Sequence, residues 1–287
     1  MIERILFPVD FSEQSRCAAP FVKAMACRFQ SPVVMLNVLE LPPVWYGAGD
    51  GAVWLPPVDA DELRQEARAR TDEYLEAEFA GVPVQRLLAE GDPARQIICC
   101  AKTNKSDLIM MPTHGYGFYR SFLLGSVTAK VLHDAECAVW TGVHTPEFTA
   151  HLPERFSRVL CAVERDKKEV RVMRWAMEFG KRTGAKVQLI HAIPGDSQTH
   201  EFTDRVFMEQ LFQGARDAFD HIQEEAGIHA DILLRMGKPA QVIHDEARNQ
   251  QADLVIVGRG VIQKALGRLR STAYAIIREA PCPVISV

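Results

Sequence analysis

The 287-residue chain lacks the features that mark membrane, secreted and P-loop proteins. No apolar run approaches the roughly 18 residues that are needed to span a bilayer. The amino terminus has neither the basic start nor the long apolar core of a signal peptide. No Gly-x-x-x-x-Gly-Lys-Ser/Thr motif occurs, so a P-loop ATPase is excluded. By elimination we expect a cytoplasmic protein that has no membrane partner.

Charge, cysteine and histidine content argue against three further classes. The formal net charge is −4 and no basic stretch exceeds a few residues, so we expect no nucleic-acid partner. The seven cysteines include no Cys-x-x-Cys and mostly lie in apolar patterns, which predicts buried, reduced thiols. The nine histidines form no pair at metal-ligand spacing beside Cys or an acid, so no metal site is predicted.

What the sequence does contain is one pattern written twice. Four parts of the first copy recur in the second: 4–10 at 158–164, 33–38 at 187–192, 91–94 at 237–240, and 137 at 282. The shift falls from 154 (164 − 10) to 145 (282 − 137), so the first copy carries an insertion. Its predicted site is the Pro-, Gly- and aromatic-rich stretch 41–60. We therefore predict two domains, residues 1–145 and 156–287.

Short apolar runs alternate with helical patterns in both copies. The predicted strands include 5–9, 33–39 and 108–111, and the predicted helices are 12–29, 61–79, 93–103, 166–182, 201–225 and 239–249. Ser12 and Asp92 have the residue type and position of N-caps. This alternation predicts an α/β fold whose parallel sheet is covered on both faces. Ligands of such sheets bind beyond the carboxyl ends of the strands.

One segment of each copy joins a predicted strand to a predicted helix through a glycine loop. In the first copy the loop contains Gly115, and the helix begins nine residues later at Gly125-Ser126. The corresponding parts of the second copy are 258–260 and 270–271. Backbone N–H groups and a helix dipole meet there, which suits an anion such as a phosphate. A tight loop with an ordinary helix cap is the simpler alternative.

These motifs, taken in order, resemble those of the universal stress protein family. The resemblance covers nearly the whole chain as two tandem copies, and it rests on residues 9–12, 91–94, 113–115, 124–126 and 280–283. It implies two Rossmann-like, five-stranded parallel sheets of strand order 3-2-1-4-5. Pairing of the last strands would then form an intramolecular pseudo-dimer, and a further homodimer stays open.

The resemblance also implies a stress-response protein that binds ATP, with or without Mg²⁺, in its first copy. The positions that match the family's nucleotide site are Pro8, Val9, Asp10, Val38, Met111, Gly115, Gly125, Ser126 and Val127. Asp10 would meet the ribose end, Val38 the adenine, and the residues of the glycine loop the phosphates. An unidentified protein partner is expected as well.

Two departures favour a different outcome. Pro112 stands where the family has the first glycine of its signature, and proline removes an N–H. In the second copy Arg270 replaces the glycine before the helix. The alternative function is therefore an interaction scaffold that has lost nucleotide binding. No general base or nucleophilic elbow is identifiable, so no catalytic residue is predicted, and slow ATP hydrolysis is the most that we expect.

The arginines of the second copy generate one more prediction. Arg259, Arg268 and Arg270 are expected near the helix that begins at Ser271. Clustered guanidinium groups repel one another unless an anion or an acid joins them. We predict either a bound small anion or a salt bridge from Arg270 to Glu164.

Overall fold

The computed structural model describes residues 2–41, 59–113, 124–142, 156–195, 205–259 and 271–287. Most of the predicted insertion and the predicted linker, residues 42–58 and 143–155, lie outside the described part of the chain. The domain division at 145 and 156 therefore stays a prediction.

The first half of the chain alternates strands and helices, as its sequence pattern predicts. Its elements are β1 (Ile5–Val9), α1 (Glu13–Phe29), β2 (Val33–Leu39), α2 (Ala60–Glu73), β3 (Val84–Glu90), α3 (Pro93–Thr103), β4 (Leu108–Met111), α4 (Ser126–Asp134) and β5 (Ala138–Thr141).

The second half repeats this succession. Its elements are β6 (Arg158–Ala162), a 3₁₀ turn (Lys167–Glu169), α5 (Val170–Thr183), β7 (Lys186–Ile193), α6 (Arg205–Ala226), β8 (Ile232–Met236), α7 (Pro239–Asn249), β9 (Leu254–Val257), α8 (Ser271–Glu279) and β10 (Val284–Ser286). None of the described helices is long and apolar enough to cross a membrane.

Capping explains where the helices of the first half begin. The side chain of Ser12 accepts a hydrogen bond from the N–H of Ser15, and that of Asp92 accepts one from Arg95, so both predicted N-caps are confirmed. The predicted helix 61–79 ends at Glu73, because Tyr74 is extended and Leu75 has a φ of 54°. A left-handed residue of this kind ends the regular helical path.

The ten strands of the described residues form one sheet in the order β3-β2-β1-β4-β5-β10-β9-β6-β7-β8. Each half has the predicted order 3-2-1-4-5, and every pairing within a half is parallel. The order reverses between β1 and β4, and again between β6 and β9. In doubly wound sheets a ligand crevice forms at such a reversal, beyond the carboxyl ends of the strands.

The two halves join through their last strands. β5 and β10 are antiparallel, and Trp140 lies opposite Ile285 in the middle of the pair. Thr141 Oγ1 donates to the carbonyl oxygen of Val284, and Ser286 Oγ donates to that of Val139. Both hydroxyls are buried, so this junction is part of the core. The predicted intramolecular pseudo-dimer is confirmed, and it leaves neither last strand as an open edge.

Helices also connect the two halves across one face of the sheet. The side chain of Arg28, in the last turn of α1, donates to the carbonyl oxygen of Thr183 at the end of α5, at 2.6 Å. The rings of Phe29 and Phe179 lie 5.7 Å apart, centroid to centroid. The apolar residues of this face form a core that runs through both halves.

On the other face a buried arginine joins the halves. Arg259, two residues after β9, is 8% exposed and donates to the carbonyl oxygens of Leu132, Ala135 and Cys137. These carbonyls lie at and just beyond the carboxyl end of α4, where the helix dipole is negative. Burial lowers the pKa of Arg259 to about 10, which leaves the side chain charged at neutral pH. The guanidinium of Arg259 is thus held by carbonyls of the first half, and its expected place with Arg268 and Arg270 beside the helix at Ser271 stays a prediction, because those two residues lie outside the described part of the chain.

Cysteine burial differs from the prediction. Cys161 and Cys282 are buried, Cys100 and Cys137 are half-buried, and Cys17, Cys27 and Cys99 are exposed. All seven are free thiols, but the exposed three lie on the outer faces of α1 and α3. A short apolar pattern does not show which residues of a helix lie on its buried face and which on its exposed face.

We predict that Arg259→Ala destabilises the whole chain. It removes a buried, charged donor from three carbonyls, and should lower the free energy of unfolding in urea by about 3 kcal/mol. Arg248→Ala removes an exposed arginine from the last turn of α7 and is the matched control. Equal effects of the two changes would show that the contacts of Arg259 contribute no stability.

Candidate functional site

Asp10, the first residue after β1, is anchored by the start of α1. Its Oδ1 accepts from the N–H of Ser12 at 3.1 Å, from Ser12 Oγ at 2.5 Å and from Ser15 Oγ at 2.6 Å. The intervening Phe11 has a φ of 61°, which turns the chain sharply from strand to helix. All three bonds use one carboxylate oxygen. Among the described residues no group donates to Oδ2, so this oxygen is available to a ligand.

The ends of β1 and β2 are fixed beside Asp10. Pro8 and Val9 are buried, and the carbonyl oxygen of Val9 accepts from the side-chain amide of Asn37 at 2.9 Å. Val38 is half-buried. Asp10 therefore lies at the edge of the sheet where the strands end. Val38 lies near the end of β2, the strand that pairs with β1.

The start of α4 forms the other side of this edge. β4 is the neighbour of β1 and ends at the buried Met111. Gly125 is the N-cap of α4, with a φ of −58° and no side-chain cap, and Ser126 and Val127 are the first two helical residues. Ser126 is exposed and Val127 is half-buried. The first N–H groups of a helix have no partner within the helix, and none of the described residues supplies a side-chain cap here.

Gly125 itself holds the loop rather than presenting its N–H. That N–H donates to the carbonyl oxygen of Thr113 at 2.9 Å, and Thr128 Oγ1 donates to that of Pro112 at 3.2 Å. In this structure a backbone carbonyl therefore already accepts the N–H of Gly125. The predicted phosphate contacts of Gly125, Ser126 and Val127 stay predictions, and Gly115 lies outside the described residues.

Two paired differences distinguish the second half at the same edge. Glu169 stands where the first half has Ser15, at the shift of 154 (169 − 15), and Gly258 stands where it has Pro112, at a shift of 146 (258 − 112). Glu169 and Gly258 are also close together in the structure: a Cβ on Gly258 would lie 2.8 Å from Oε2 of Glu169. A side chain at position 258 would therefore require the carboxyl of Glu169 to move. The smaller Ser15 in the first half instead binds Asp10.

The second half encloses a cavity of about 630 Å³ at the sheet reversal between β6 and β9. Its walls come from strands and from helices on both faces of the sheet, and they are mostly apolar: Ile190, Ile193, Leu211, Ile243, Val257 and Ile276. Glu169 and His191 also line it. The volume falls within the range of small-molecule pockets.

Glu169 is buried in this cavity, and no charged side chain of the described ranges is in contact with it. It is 6% exposed, and none of the described groups donates a hydrogen bond to its carboxylate. Burial, with a further contribution from Asp166, raises the pKa of Glu169 to about 7, and Arg171 opposes this only in part. The carboxyl therefore changes between its neutral and charged forms near neutral pH.

His191 is held as a neutral ring. Its Nδ1 lies 2.8 Å from the carbonyl oxygen of Val163, and a carbonyl can only accept, so Nδ1 carries the proton. Burial lowers the pKa of His191, and Arg165 lowers it further. The second ring nitrogen is then an acceptor. Glu169 and His191 together give the cavity acceptors once Glu169 is ionised.

The predicted salt bridge from Arg270 to Glu164 falls partly outside the described residues. Glu164 is exposed and lines the cavity, while Arg268 and Arg270 are among the residues that the structure does not describe. That prediction stays a prediction. Glu169, the cavity and the anchoring Ser15 were all missed from the sequence, although the 154-residue register pairs Ser15 with Glu169.

The topology defines a tandem, doubly wound α/β protein in which the strand order reverses once in each half. The model of the universal stress protein family matches it twice, over residues 1–141 and 155–287. A universal stress protein of Methanocaldococcus jannaschii is 32% identical over 139 residues, which cover 48% of this chain and 81% of that protein. One from Thermus aquaticus is 33% identical over 142 residues, covering 48% of this chain and 97% of its own.

A solved structure has the same whole-chain arrangement. The crystal structure of a universal stress protein from Archaeoglobus fulgidus is 25% identical, with a TM-score of 0.66, and the match covers 99% of this chain and 95% of that one. A putative universal stress protein from Pseudomonas aeruginosa, 18% identical with a TM-score of 0.64, shares the fold. The chain belongs to the universal stress protein family.

We predict that Ser15→Ala weakens the turn that holds Asp10. The change removes a buried donor to a carboxylate, so the free energy of unfolding should fall by about 2 kcal/mol. Gln14→Ala alters an exposed residue of the same helical turn and should change little. Urea unfolding of both variants makes the comparison, and an equal loss would contradict the anchoring role.

We predict that Glu169→Gln stabilises the protein at high pH. A carboxyl whose pKa rises from 4.5 to about 7 on folding costs stability as pH rises from 4.5 to 7. Below pH 4.5 both states hold the proton, and above pH 7 the loss is complete, at about 3 kcal/mol. The variant should therefore match the wild type near pH 4 and exceed it at pH 8. A constant difference between them across this range would contradict the raised pKa.

Proposed function

We propose that this chain is a regulatory stress-response protein that binds an adenine nucleotide, ATP, at the carboxyl edge of the first half of its sheet. Membership of the family supports the stress-response role. The observation that carries the nucleotide proposal is the start of α4, a glycine cap without a side-chain cap, beside the anchored carboxylate of Asp10.

The chemistry of the two groups fits opposite ends of a nucleotide. The N–H groups of Ser126 and Val127 and the helix dipole favour the phosphates. Asp10 Oδ2 can accept from ribose hydroxyls, since Oδ1 is occupied by Ser12 and Ser15. Val38 would lie against the base. Gly115 would complete the proposed phosphate loop. The proposal assigns no described residue to a Mg²⁺ ion.

The proposal assigns binding and no catalytic residue. The last strands are already paired inside the chain, so a further homodimer would need another surface, such as the outer strands β3 and β8.

A second function, an interaction scaffold without nucleotide, is favoured by the loop that precedes α4. Pro112 offers no N–H, and the N–H of Gly125 is bonded to Thr113. Both reduce the number of donors available to a phosphate. The scaffold would use the same fold and a protein partner.

Gly125→Arg is the direct test of the nucleotide proposal. The backbone of Gly125 is open to any residue, so the variant should fold, while its side chain would occupy the place of the phosphates. We expect ATP to raise the melting temperature of the wild type and Gly125→Arg to lose that rise. Nucleotide released on denaturing freshly purified protein gives a second readout.

Ala80→Arg is the matched control, because it adds the same charge at an exposed residue before β3, at the amino end of the strands. It should keep the full response to ATP. If ATP stabilises Gly125→Arg as much as the wild type, the site is misplaced. If the wild type itself does not respond, the scaffold function replaces the nucleotide proposal.

A further inference from the structure

The cavity of the second half has a chemistry opposite to that of a phosphate site. The turn after β1 carries Asp10, Ser12 and Ser15, whereas the corresponding turn after β6 carries Glu164, Asp166 and Glu169. At the matched positions three carboxylates replace one carboxylate and two hydroxyls, while Glu13 adds a second acid to the first turn and Arg165, Lys167 and Lys168 add three bases to the second. A phosphate placed against these carboxylates would be repelled.

Glu169 is directed into the cavity rather than onto a helix. It occupies the N-cap position of α5 but makes no side-chain cap hydrogen bond, and its carboxylate lies against Gly258 on the opposite wall. Buried carboxylates are ordinarily paired with a cation or with several donors. Among the described residues, Arg171 acts on Glu169 only at a distance, and no donor contacts its carboxylate.

We propose that this cavity binds a small organic amine, with the ammonium group on Glu169 and an apolar body between the helices of the two faces. Ile190 on the sheet, Ile243 on α7 and Ile276 on α8 supply the apolar walls. His191, whose Nδ1–H is directed to Val163 and whose pKa burial lowers, supplies a second acceptor for the ammonium hydrogens through its other ring nitrogen. This proposal concerns the half of the sheet that the nucleotide proposal does not use, so each can fail without the other.

The charges around Glu169 favour a cation over an anion. Asp166 lies on the same turn, and Arg171 lies in the first turn of α5. Glu164 and Arg165 line the cavity as exposed residues, and their formal charges cancel. Cys161, on the sheet beneath, keeps its proton because burial raises its pKa. Of the two lysines on the turn, Lys167 pairs with Glu225 at 2.7 Å and Lys168 is exposed, so the buried charge that faces the cavity is that of ionised Glu169.

The experiment titrates the full chain with three probes of closely similar size that differ in charge: 4-phenylbutylamine, 4-phenylbutanol and 4-phenylbutyrate. Calorimetry at pH 8 should show saturable binding of the amine, with the alcohol and the carboxylate at least tenfold weaker. Amine affinity should rise from pH 6 to pH 8, because Glu169 must ionise to pair with the ammonium.

Three variants locate the binding. Glu169→Gln keeps the shape of the side chain and should weaken amine binding at least tenfold and remove its pH dependence. Ala215→Leu fills space on the α6 wall and should weaken the binding of amine and alcohol alike. Glu178→Gln removes a charge from an exposed residue of α5 that pairs with Arg182 and should leave binding unchanged.

Absence of saturable amine binding in the wild type would overturn the proposal. Equal binding of the amine to Glu169→Gln and to the wild type would overturn it too, as would a carboxylate probe that binds as tightly as the amine.

Discussion

The antiparallel pairing of β5 with β10 is the contact on which the rest of the structure depends. It closes the edge that each five-stranded sheet would otherwise expose, and it merges both into one ten-stranded sheet. Because the pairing runs antiparallel, the carboxyl ends of the two halves point in opposite directions. The carboxyl edges of the two halves, where the proposed ligands would bind, therefore lie at opposite ends of the joined strands.

Contacts on both faces reinforce this junction. Arg28 and Phe29 join the ends of α1 and α5 on one face, while Arg259 holds the end of α4 on the other. Arg259 follows the last residue of β9 closely, and α4 begins at the proposed phosphate site. The same helix thus meets the proposed ligand at its amino end and the second half at its carboxyl end. Through Arg259 the second half therefore contacts α4 directly, and α4 is the helix whose amino end would bind the phosphates.

The two halves differ most at the residues that face their ligand edges, while their strands remain alike. Ser15 with Pro112 and Glu169 with Gly258 are alternative ways to fill the same space. In the first half a small hydroxyl anchors Asp10 and leaves one carboxylate oxygen for a ligand. In the second half the larger acid lies in an apolar cavity. On this difference we base the proposals that the first edge binds an anion and that the cavity of the second half binds a cation.

Much of the fold could be predicted because it depends on local patterns and on the repeat. The alternation of strands and helices and the Ser12 and Asp92 caps follow from periodicity and cap chemistry. The strand order and the joining of the last strands are implied by the family resemblance of the two copies. The contacts of Arg259 could not be predicted, because they join residues more than 120 positions apart in different halves. The role of Glu169 depends on its burial and on the space beside Gly258. Neither is visible in the order of the residues, although the register points to the substitution.

Hydrogen–deuterium exchange of the full chain with and without ATP tests most directly whether the two edges have diverged. Our account predicts slower exchange at the turn 10–15 and at the start of α4, residues 125–130. It predicts no change at the corresponding turn 164–169. Equal protection of both turns would contradict the divergence, and protection confined to the second half would contradict the assignment of the nucleotide to the first.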